Sequence, residues 1–172
     1  LLLIGSIALT VFRLFKIKSS LTPKGSEFIE KLKKKGFDIC VERGAGIKSS
    51  ISDEQYEKVG ATLLDNAKEV WDKAQIILSI HPPSIRPEGS DFAGEDECSW
   101  LRSDQTLITL IRPATSKDLV EKLQKTKGTV FALDCIPRIT RAQKMDVLSS
   151  MANIAGYRAV IEAANAYGGF FS

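Results

Sequence analysis

Polar side chains are concentrated between Arg138 and Ser149, directly ahead of a predicted apolar helix. Gln143, Asp146 and Ser149 are spaced by three, so one helical face would carry all three side chains. An amide, a carboxylate and a hydroxyl beside the Arg138 guanidinium can bind a ribose and a carboxamide without acid–base chemistry. The same side chains could instead form a capping network, with Ser149 or Ser150 as the helix N-cap and Asp146 paired with Arg138. Spacing alone favours neither interpretation.

The loops that follow predicted strands carry the other candidates, because ligands of parallel sheets bind at the carboxyl ends of the strands. The "RGAG" turn at residues 43–46 contains two glycines, but Lys48 and Ser49 stand where a dinucleotide-binding motif would place its third. A tight strand-to-helix turn is therefore the better interpretation. His81, which ends an apolar run before two prolines, could be a general acid or base or a structural hydrogen-bonding group. Arg112, at the end of the next strand, could bind an anion or simply be a charged residue at the rim of the sheet.

The composition is that of a globular protein, with 44% hydrophobic and 26% charged residues in 172 positions. The formal net charge of +3 is too small to indicate a nucleic-acid partner. Three widely separated cysteines, Cys40, Cys98 and Cys135, indicate reduced thiols rather than a disulfide framework or a zinc site. Because His81 is the only histidine, a multi-histidine metal site is excluded, and we expect no bound metal.

The elements that must position these residues alternate between short apolar runs and helical stretches. This β-α-β-α order predicts a Rossmann-like three-layer α/β sandwich, with a mainly parallel sheet covered by helices on both faces. The predicted strands have the sequences FDICVE, QIILSI, TLITLI and TVFALD. Five helices are predicted. The first has Thr22 as N-cap, Pro23 at its first position and Gly36 at its end, and the second begins with a Ser52–Gln55 capping box. The third is capped by Asp65, the fourth covers residues 115–128, and the long last helix covers approximately Met151 to Tyr167.

Two segments fit this alternation poorly. Residues 82–104 contain three prolines, several acids and no periodicity, which predicts a surface loop that is either disordered or inserted. Residues 1–20 begin with an apolar run of twelve residues, whereas a bilayer span takes about 20. The run could be a buried first strand, a signal-like segment or the cut end of a membrane helix, and we favour the strand. Because the chain does not begin with Met, we expect it to be a fragment.

The last predicted helix carries a stripe of small residues, Ala152, Gly156, Ala159 and Ala163. A glycine inside a helix costs about 1 kcal/mol relative to alanine, so the close approach of another backbone is a plausible reason for Gly156. The stripe could pack on the sheet of this domain or against a second domain.

Several motifs resemble a known family: "VERGAG", the "VW" of the third predicted helix, "IRPA" and above all "DCIPRITRAQKMDVLSSMANIAGYRAVIEAANAYGGFF". They are similar to the N-terminal part of the NAD(H)-binding component of proton-translocating NAD(P) transhydrogenases, from about Leu21 to Ser172 and most densely from Thr129 onward. The related alanine dehydrogenases share the N-terminal fold and the "GAG" turn. The resemblance implies one such domain over residues 21–172, with an inserted loop at 82–104 and a poorly matching segment at 1–20.

The resemblance implies direct hydride transfer from NADH to NADP+, coupled to proton translocation across a membrane. NAD(H) would be the cofactor, and NADP(H) would be bound by a partner domain. The implied partners are a second NAD-binding half of the same component, the NADP(H)-binding component, a membrane proton-channel domain and a second copy in a homodimer. The domain would lie on the soluble side of the mitochondrial inner membrane in a eukaryote or of the inner membrane in a bacterium. The isolated fragment would be inactive.

Residue roles carry over only where the family motif is intact. The resemblance assigns cofactor contacts to Arg138, Ile139, Thr140, Gln143, Asp146 and Ser149. Gln143 would bridge toward the NADP(H) component across the hydride-transfer gap and is the residue implied to be catalytic. Arg138, Asp146 and Ser149 would contribute to the binding of the nicotinamide and its ribose. The main chain at Ile139 and Thr140 would lie close by.

Three departures from the family pattern matter. Alanine dehydrogenases use a lysine and a histidine where this chain has His81 and Arg112, which disfavours amino-acid deamination. Lys18 stands where the family has an arginine before its first loop, and the chain stops at Ser172, before the family's glycine-rich half. An amino-acid dehydrogenase of the alanine type and a non-catalytic interaction module are nevertheless kept as alternatives.

Overall fold

The computed structural model describes residues 7–11, 23–47 and 51–169, in two compact units that divide after Ala132. The first unit contains the strands β1 (Ile7–Val11), β2 (Phe37–Glu42), β3 (Thr62–Leu64), β4 (Ile76–Leu78), β5 (Thr106–Thr109) and β6 (Thr129–Ala132). It also contains the helices α1 (Pro23–Lys34), α2 (Asp53–Lys58), α3 (Ala67–Lys73) and α4 (Lys117–Thr126). The second unit contains α5 (Val147–Ala166).

The described strands form one sheet in the order β3-β2-β1-β4-β5-β6, and every neighbouring pair is parallel. β1 lies inside the apolar N-terminal run, where a strand is the favoured interpretation, and it pairs with both β2 and β4. The chain winds outward from β1 in both directions, so the strand order reverses between β1 and β4. The three-residue β3 is an edge strand that the sequence patterns did not predict.

Helices cover both faces of this sheet, as the alternation predicts. Successive strand residues point to opposite faces, and β4 shows both sides of the packing. Ile77 belongs to a core with Trp71 of α3 and Leu123 of α4. Its neighbour Ile76 packs against the opposite core, which contains Ile29 of α1 and is completed by α2. The predicted Rossmann-like α/β class with a parallel sheet is confirmed.

The ends of α1 and α2 follow their sequence signals. α1 begins at Pro23, and Gly36 behind it has a φ of 86°, which a glycine adopts without steric cost. The proposed cap Thr22 lies outside the described residues. The predicted capping box of α2 is confirmed, since the Ser52 N–H donates to Gln55 Oε1 at 2.9 Å.

The cap predicted for α3 was wrong by one residue. Asn66 caps this helix, and its side-chain oxygen accepts the Glu69 N–H at 2.9 Å. Asp65 instead forms an exposed ion pair with Arg43, with 3.4 Å between Oδ1 and Nε. Both residue types are good caps, so their order in the chain did not decide between them.

Residues 82–104 are not the disordered surface loop that was one of the two interpretations, and the alternative, an inserted loop, stays a prediction. Ile85 and Asp96 form an antiparallel bridge, and a 3₁₀ helix covers Glu97–Trp100. The segment contributes buried side chains to the core over β4 and β5, namely Cys98, Trp100 and Leu101. It therefore forms part of the hydrophobic core in the same way as a helix would.

A buried ion pair holds this segment in place. Arg86 and Glu97 are each 5% exposed, and 3.2 Å separates Nη1 from Oε1. Arg86 Nε also donates to the Asp91 carbonyl at 3.2 Å, and Glu97 Oε2 accepts the Ser84 N–H at 3.2 Å. Charged residues count as surface signals in sequence patterns, and burial is tolerated here because each charge has partners. This is why the loop looked like a surface segment.

All three cysteines are free; Cys40 and Cys98 are buried, and Cys135 is exposed. Over residues 7–11, 23–47 and 51–169, no group of three histidine, cysteine or acidic side chains could hold a metal ion. In the same ranges, no helix has both the length and the hydropathy that a membrane crossing requires.

Breaking the buried pair should cost far more stability than breaking an exposed pair of the same segment. We expect Arg86→Met to lower the free energy of unfolding by about 3 kcal/mol, because it removes the charge that faces the buried Glu97 carboxylate. Lys122→Met, which removes the more exposed Lys122–Asp96 pair, should cost far less stability. Urea unfolding followed by the fluorescence of the chain's two tryptophans measures both, and equal losses would contradict the assignment.

Candidate functional site

The predicted site residues all lie in the second compact unit, which starts at Leu133. In this unit, 3₁₀ helices at Leu133–Cys135 and Thr140–Met145 precede α5. The structure therefore places the whole predicted set, Arg138, Ile139, Thr140, Gln143, Asp146 and Ser149, within one turn and the first residues of the helix that follows it.

The expectation that one helical face carries Gln143, Asp146 and Ser149 is wrong. The 3₁₀ helix ends before Asp146, which has an extended conformation with φ −76° and ψ 91°. Gln143 therefore belongs to the 3₁₀ helix, whereas Ser149 lies in the first turn of α5. The long helix begins at Val147, four positions earlier than the predicted Met151.

Asp146, and neither Ser149 nor Ser150, is the N-cap of α5. Asp146 Oδ1 accepts the Ser149 N–H at 3.0 Å, and Oδ2 accepts the Ser149 hydroxyl at 2.6 Å. A carboxylate at this position satisfies a free amide of the first turn and lies at the positive end of the helix dipole. The capping interpretation was therefore correct in kind, but it named the wrong capping residue. An aspartate three residues ahead of a serine is the signal that could have identified it.

The Asp146 carboxyl is held in its ionised form. Its pKa is lowered, chiefly by the hydrogen bond from the Ser149 hydroxyl and next by the bond from the Ser149 N–H. The positive charge of Arg138 lowers the pKa further through space. The predicted association of Arg138 with Asp146 is thus electrostatic, and the structure shows no direct ion pair between these two described residues.

The rest of the turn exposes its side chains while its backbone is internally bonded. The Ala142 N–H donates to the Ile139 carbonyl at 2.9 Å, and the Asp146 N–H donates to the Gln143 carbonyl at 3.3 Å. The side chains of Arg138, Thr140 and Gln143 are exposed, and Ile139 is 55% exposed despite being apolar. The turn therefore has a hydrogen-bonded backbone and presents donors, acceptors and the apolar side chains of Ile139 and Met145 to its surroundings.

This arrangement suits recognition of a polar ligand better than proton transfer. Arginine only donates hydrogen bonds, glutamine donates and accepts, and an ionised carboxylate only accepts. None of these groups exchanges a proton near neutral pH by its ordinary chemistry. The turn can therefore orient a ligand, and the reaction would have to belong to that ligand.

His81 and Arg112 lie in the first unit, at the carboxyl edge of the sheet. They follow the neighbouring strands β4 and β5, and both are exposed. Arg112 has a φ of 54°, a left-handed conformation that is uncommon outside glycine. The prediction that both residues lie at the rim is confirmed, and their functional roles remain predictions.

The small-residue stripe of α5 is exposed along its length. Ala152, Ala159 and Ala163 are exposed, and a β-carbon on Gly156 would have no heavy atom within 4 Å among its described surroundings. The same helix exposes Tyr157, for which sequence analysis gave no signal. The proposed packing of the stripe against another backbone therefore stays a prediction.

The cap should respond to acid in a defined direction. Because the folded-state pKa of Asp146 is the lower one, its contribution to stability is present above the unfolded value of about 3.9 and is lost as pH falls through the folded pKa. We expect an NMR titration of the Asp146 carboxyl carbon to give a midpoint below about 3.9. Ser149→Ala should raise that midpoint and leave that of Asp96, whose pKa is lowered by Lys122, unchanged. An unmoved Asp146 midpoint would contradict the cap geometry.

The strand order and the coverage of both faces define the class of protein. A parallel sheet in the order β3-β2-β1-β4-β5-β6 belongs to the doubly wound α/β class that includes many nucleotide-binding enzymes. Within that class, the chain belongs to the family described as alanine dehydrogenase/PNT, N-terminal domain, whose model matches residues 18–155.

Individual relatives support the same family. The NAD(P) transhydrogenase subunit alpha of Cereibacter sphaeroides is 44% identical over 153 residues, which cover 89% of this chain and 27% of that protein. In Rhodospirillum rubrum, a protein named as the first part of the same subunit is 38% identical, covering 80% of this chain and 35% of that protein. A crystal structure of transhydrogenase from Sinorhizobium meliloti superposes with a TM-score of 0.76 at 35% identity, covering 94% of this chain and 45% of that chain. The chain thus spans about a quarter to a third of the length of these two curated relatives.

Proposed function

We propose that this chain forms the nicotinamide-facing part of the NAD(H)-binding component of a proton-translocating NAD(P) transhydrogenase. The observation that carries the proposal is the turn at residues 138–149, where exposed Arg138 and Gln143 precede the hydrogen-bonded pair of Asp146 and Ser149. The reaction would be direct hydride transfer between NADH and NADP+. The similarity to transhydrogenase alpha subunits supports this choice among the activities found in the family.

The chemistry of the turn agrees with this reaction. Hydride transfer between two nicotinamides depends on the alignment of the rings, and the cofactor itself supplies the reactive bond. The protein then has to orient one ring and leave its reacting face open. Arg138 and Ser149 would hold the nucleotide, the main chain at Ile139 and Thr140 would lie beside it, and Gln143 would extend toward the second nucleotide.

The proposal includes cofactors and partners beyond residues 1–172. NADP(H) would be bound by a separate component, and the rest of the NAD(H) site by a second NAD-binding half. A membrane domain would conduct the protons, and two copies of the component would form a homodimer. The chain would then work on the soluble side of the mitochondrial inner membrane or of a bacterial inner membrane. The Rhodospirillum rubrum relative, whose name describes an alpha subunit in parts, supports an enzyme that is divided among several chains.

Residues 1–172 alone should bind NADH weakly. The "RGAG" turn lacks the third glycine of a dinucleotide-binding motif, and Gly44 donates its N–H to Asp53 Oδ1 at 2.9 Å rather than leaving it open for a phosphate. We expect titration calorimetry to show only weak binding, because the adenosine and pyrophosphate contacts would belong to the second half. Tight, low-micromolar binding by these residues alone would overturn this division of the site.

Gln143→Asn in the assembled enzyme should slow hydride transfer far more than it weakens NADH binding. The shorter side chain keeps the amide but withdraws it from the second nucleotide, which disturbs ring alignment. Stopped-flow measurement of the transfer step should show a decrease of about tenfold or more, in line with the sensitivity of such reactions to small displacements. The matched change Gln124→Asn, at an exposed position of α4, should leave the rate unchanged. An unaltered transfer rate in the first variant would contradict the role of Gln143.

An amino-acid dehydrogenase of the alanine type is the second candidate, because the matching family includes such enzymes. His81 and Arg112 stand at the strand ends where the resemblance places the lysine and the histidine of those enzymes. Incubating the assembled enzyme with NADH, NADP+, pyruvate and ammonia separates the candidates. Alanine formation would favour the dehydrogenase, and NADP+ reduction without alanine would favour the transhydrogenase.

A further inference from the structure

We infer that a cavity beside the last turns of α4 binds a small organic carboxylate that also carries a hydroxyl group. The cavity has a volume of about 330 Å³, at the lower end of the range of small-molecule sites. Its polar lining comes from Asp96, Cys98 and Ser99 on one side and from Lys122, Lys125 and Thr126 on the other. The inference goes beyond the proposed function and does not depend on it.

The cavity lies at the amino ends of β5 and β6. The helix α4 ends at Thr126, shortly before β6 begins at Thr129, and Leu101, which also lines the cavity, precedes β5. Ligands of doubly wound sheets bind at the opposite edge, outside the carboxyl ends of the strands. The cavity is therefore separate from the rim at which His81 and Arg112 lie.

The lining of the cavity carries one unbalanced positive charge. Asp96 and Lys122 form an ion pair, with 2.7 Å between Oδ2 and Nζ, so their charges offset each other. Burial, and next the hydrogen bond with Asp96, raises the pKa of the Cys98 thiol to about 12, so Cys98 is uncharged at neutral pH. Lys125 has no ion pair or hydrogen bond among the residues that the structure describes. Its ammonium is thus available to an anion.

The end of α4 does not itself require the Lys125 charge. A lysine in the last turn of a helix often complements the negative end of the helix dipole. Here the terminal carbonyls have other partners, since the Leu123 carbonyl accepts the Thr126 hydroxyl at 2.7 Å and the Gln124 carbonyl accepts the Lys127 N–H at 3.3 Å. These bonds leave the ammonium of Lys125 for a ligand.

The hydroxyls of the cavity accept hydrogen bonds but do not donate them to a ligand. Ser99 Oγ and Thr126 Oγ1 each donate to a main-chain carbonyl at 2.7 Å, and a carbonyl has no proton to return. Thr126 Oγ1 also accepts the Gly128 N–H at 3.3 Å, whereas Ser99 Oγ accepts no bond within the described part of the chain. A ligand that meets both Lys125 and Ser99 must therefore accept at one end and donate at the other.

A small hydroxycarboxylate has this combination of groups. Its single negative charge equals the unbalanced charge of the lining, whereas a phosphate monoester carries about 1.5 to 2 negative charges. Its hydroxyl can donate to Ser99 Oγ, and its carbon chain can lie against Leu101, an apolar residue of the lining.

Binding of 3-hydroxybutanoate to the full-length protein tests the inference. Butanoate lacks the hydroxyl, and 3-hydroxybutanamide lacks the charge. We expect titration calorimetry to show saturable binding of 3-hydroxybutanoate, with a Kd of about 1 to 10 mM. The other two compounds should each bind about threefold or more weakly, because each loses one hydrogen bond or ion pair.

Two variants and a control assign the binding to this cavity. Lys125→Gln should weaken the binding of 3-hydroxybutanoate about fivefold, the loss of one charge-assisted contact. Lys117→Gln removes an exposed lysine from the start of the same helix and should leave binding unchanged. Ser99→Ala should remove the preference for 3-hydroxybutanoate over butanoate and keep the binding of butanoate.

The inference is overturned if the native protein shows no saturable binding, or if Lys125→Gln binds like the native protein. Equal weakening by Lys117→Gln, or a preference for the hydroxyl that survives Ser99→Ala, would also contradict it. Either of the two lining variants refutes the inference by itself, so it stays testable if one of them does not fold. The proposed function fails on a different measurement, the absence of NADP+ reduction by the assembled enzyme.

Discussion

The two hydrogen bonds from Ser149 to the Asp146 carboxylate are the constraint on which the candidate site depends. They join the turn at residues 138–145 to the start of α5, so the position of the turn follows from the position of a twenty-residue helix. The capping of a helix and the recognition of a nucleotide looked like competing explanations of the same residues. In the structure, the Asp146 carboxylate caps the helix by accepting the Ser149 N–H and also accepts the Ser149 hydroxyl proton.

The parallel sheet illustrates a second constraint, the need to cover both faces of every central strand. α1 and α2 cover one face, and α3 and α4 contribute to the other together with the segment around Trp100. That segment has little regular structure, but it fills the core over β4 and β5. The buried Arg86–Glu97 pair lets an irregular chain do so, since each charge bonds its neighbour and nearby backbone groups.

The sequence predicted most of the fold because its signals are local. Prolines, glycines and a capping box marked the limits of α1 and α2, and continuous apolar runs marked the buried strands. The failures depended on long-range contacts. A charged residue such as Arg86 is typical of the surface in a sequence pattern, and only the folded chain brings its buried partner Glu97 beside it. The cap of α5 depends on where the preceding 3₁₀ helix ends. The membership of the candidate site comes from the resemblance and stays a prediction, whereas the identification of Asp146 rather than Ser149 as the helix cap needed distances.

The central claim is that the turn at residues 138–149 meets the nicotinamide nucleotide. Amide hydrogen–deuterium exchange on the assembled enzyme, with and without NADH, tests it directly because the method follows backbone positions one segment at a time. The account predicts slower exchange across residues 138–149 when NADH is bound. Unchanged exchange across this turn, with protection confined to other segments such as residues 43–46, would contradict it.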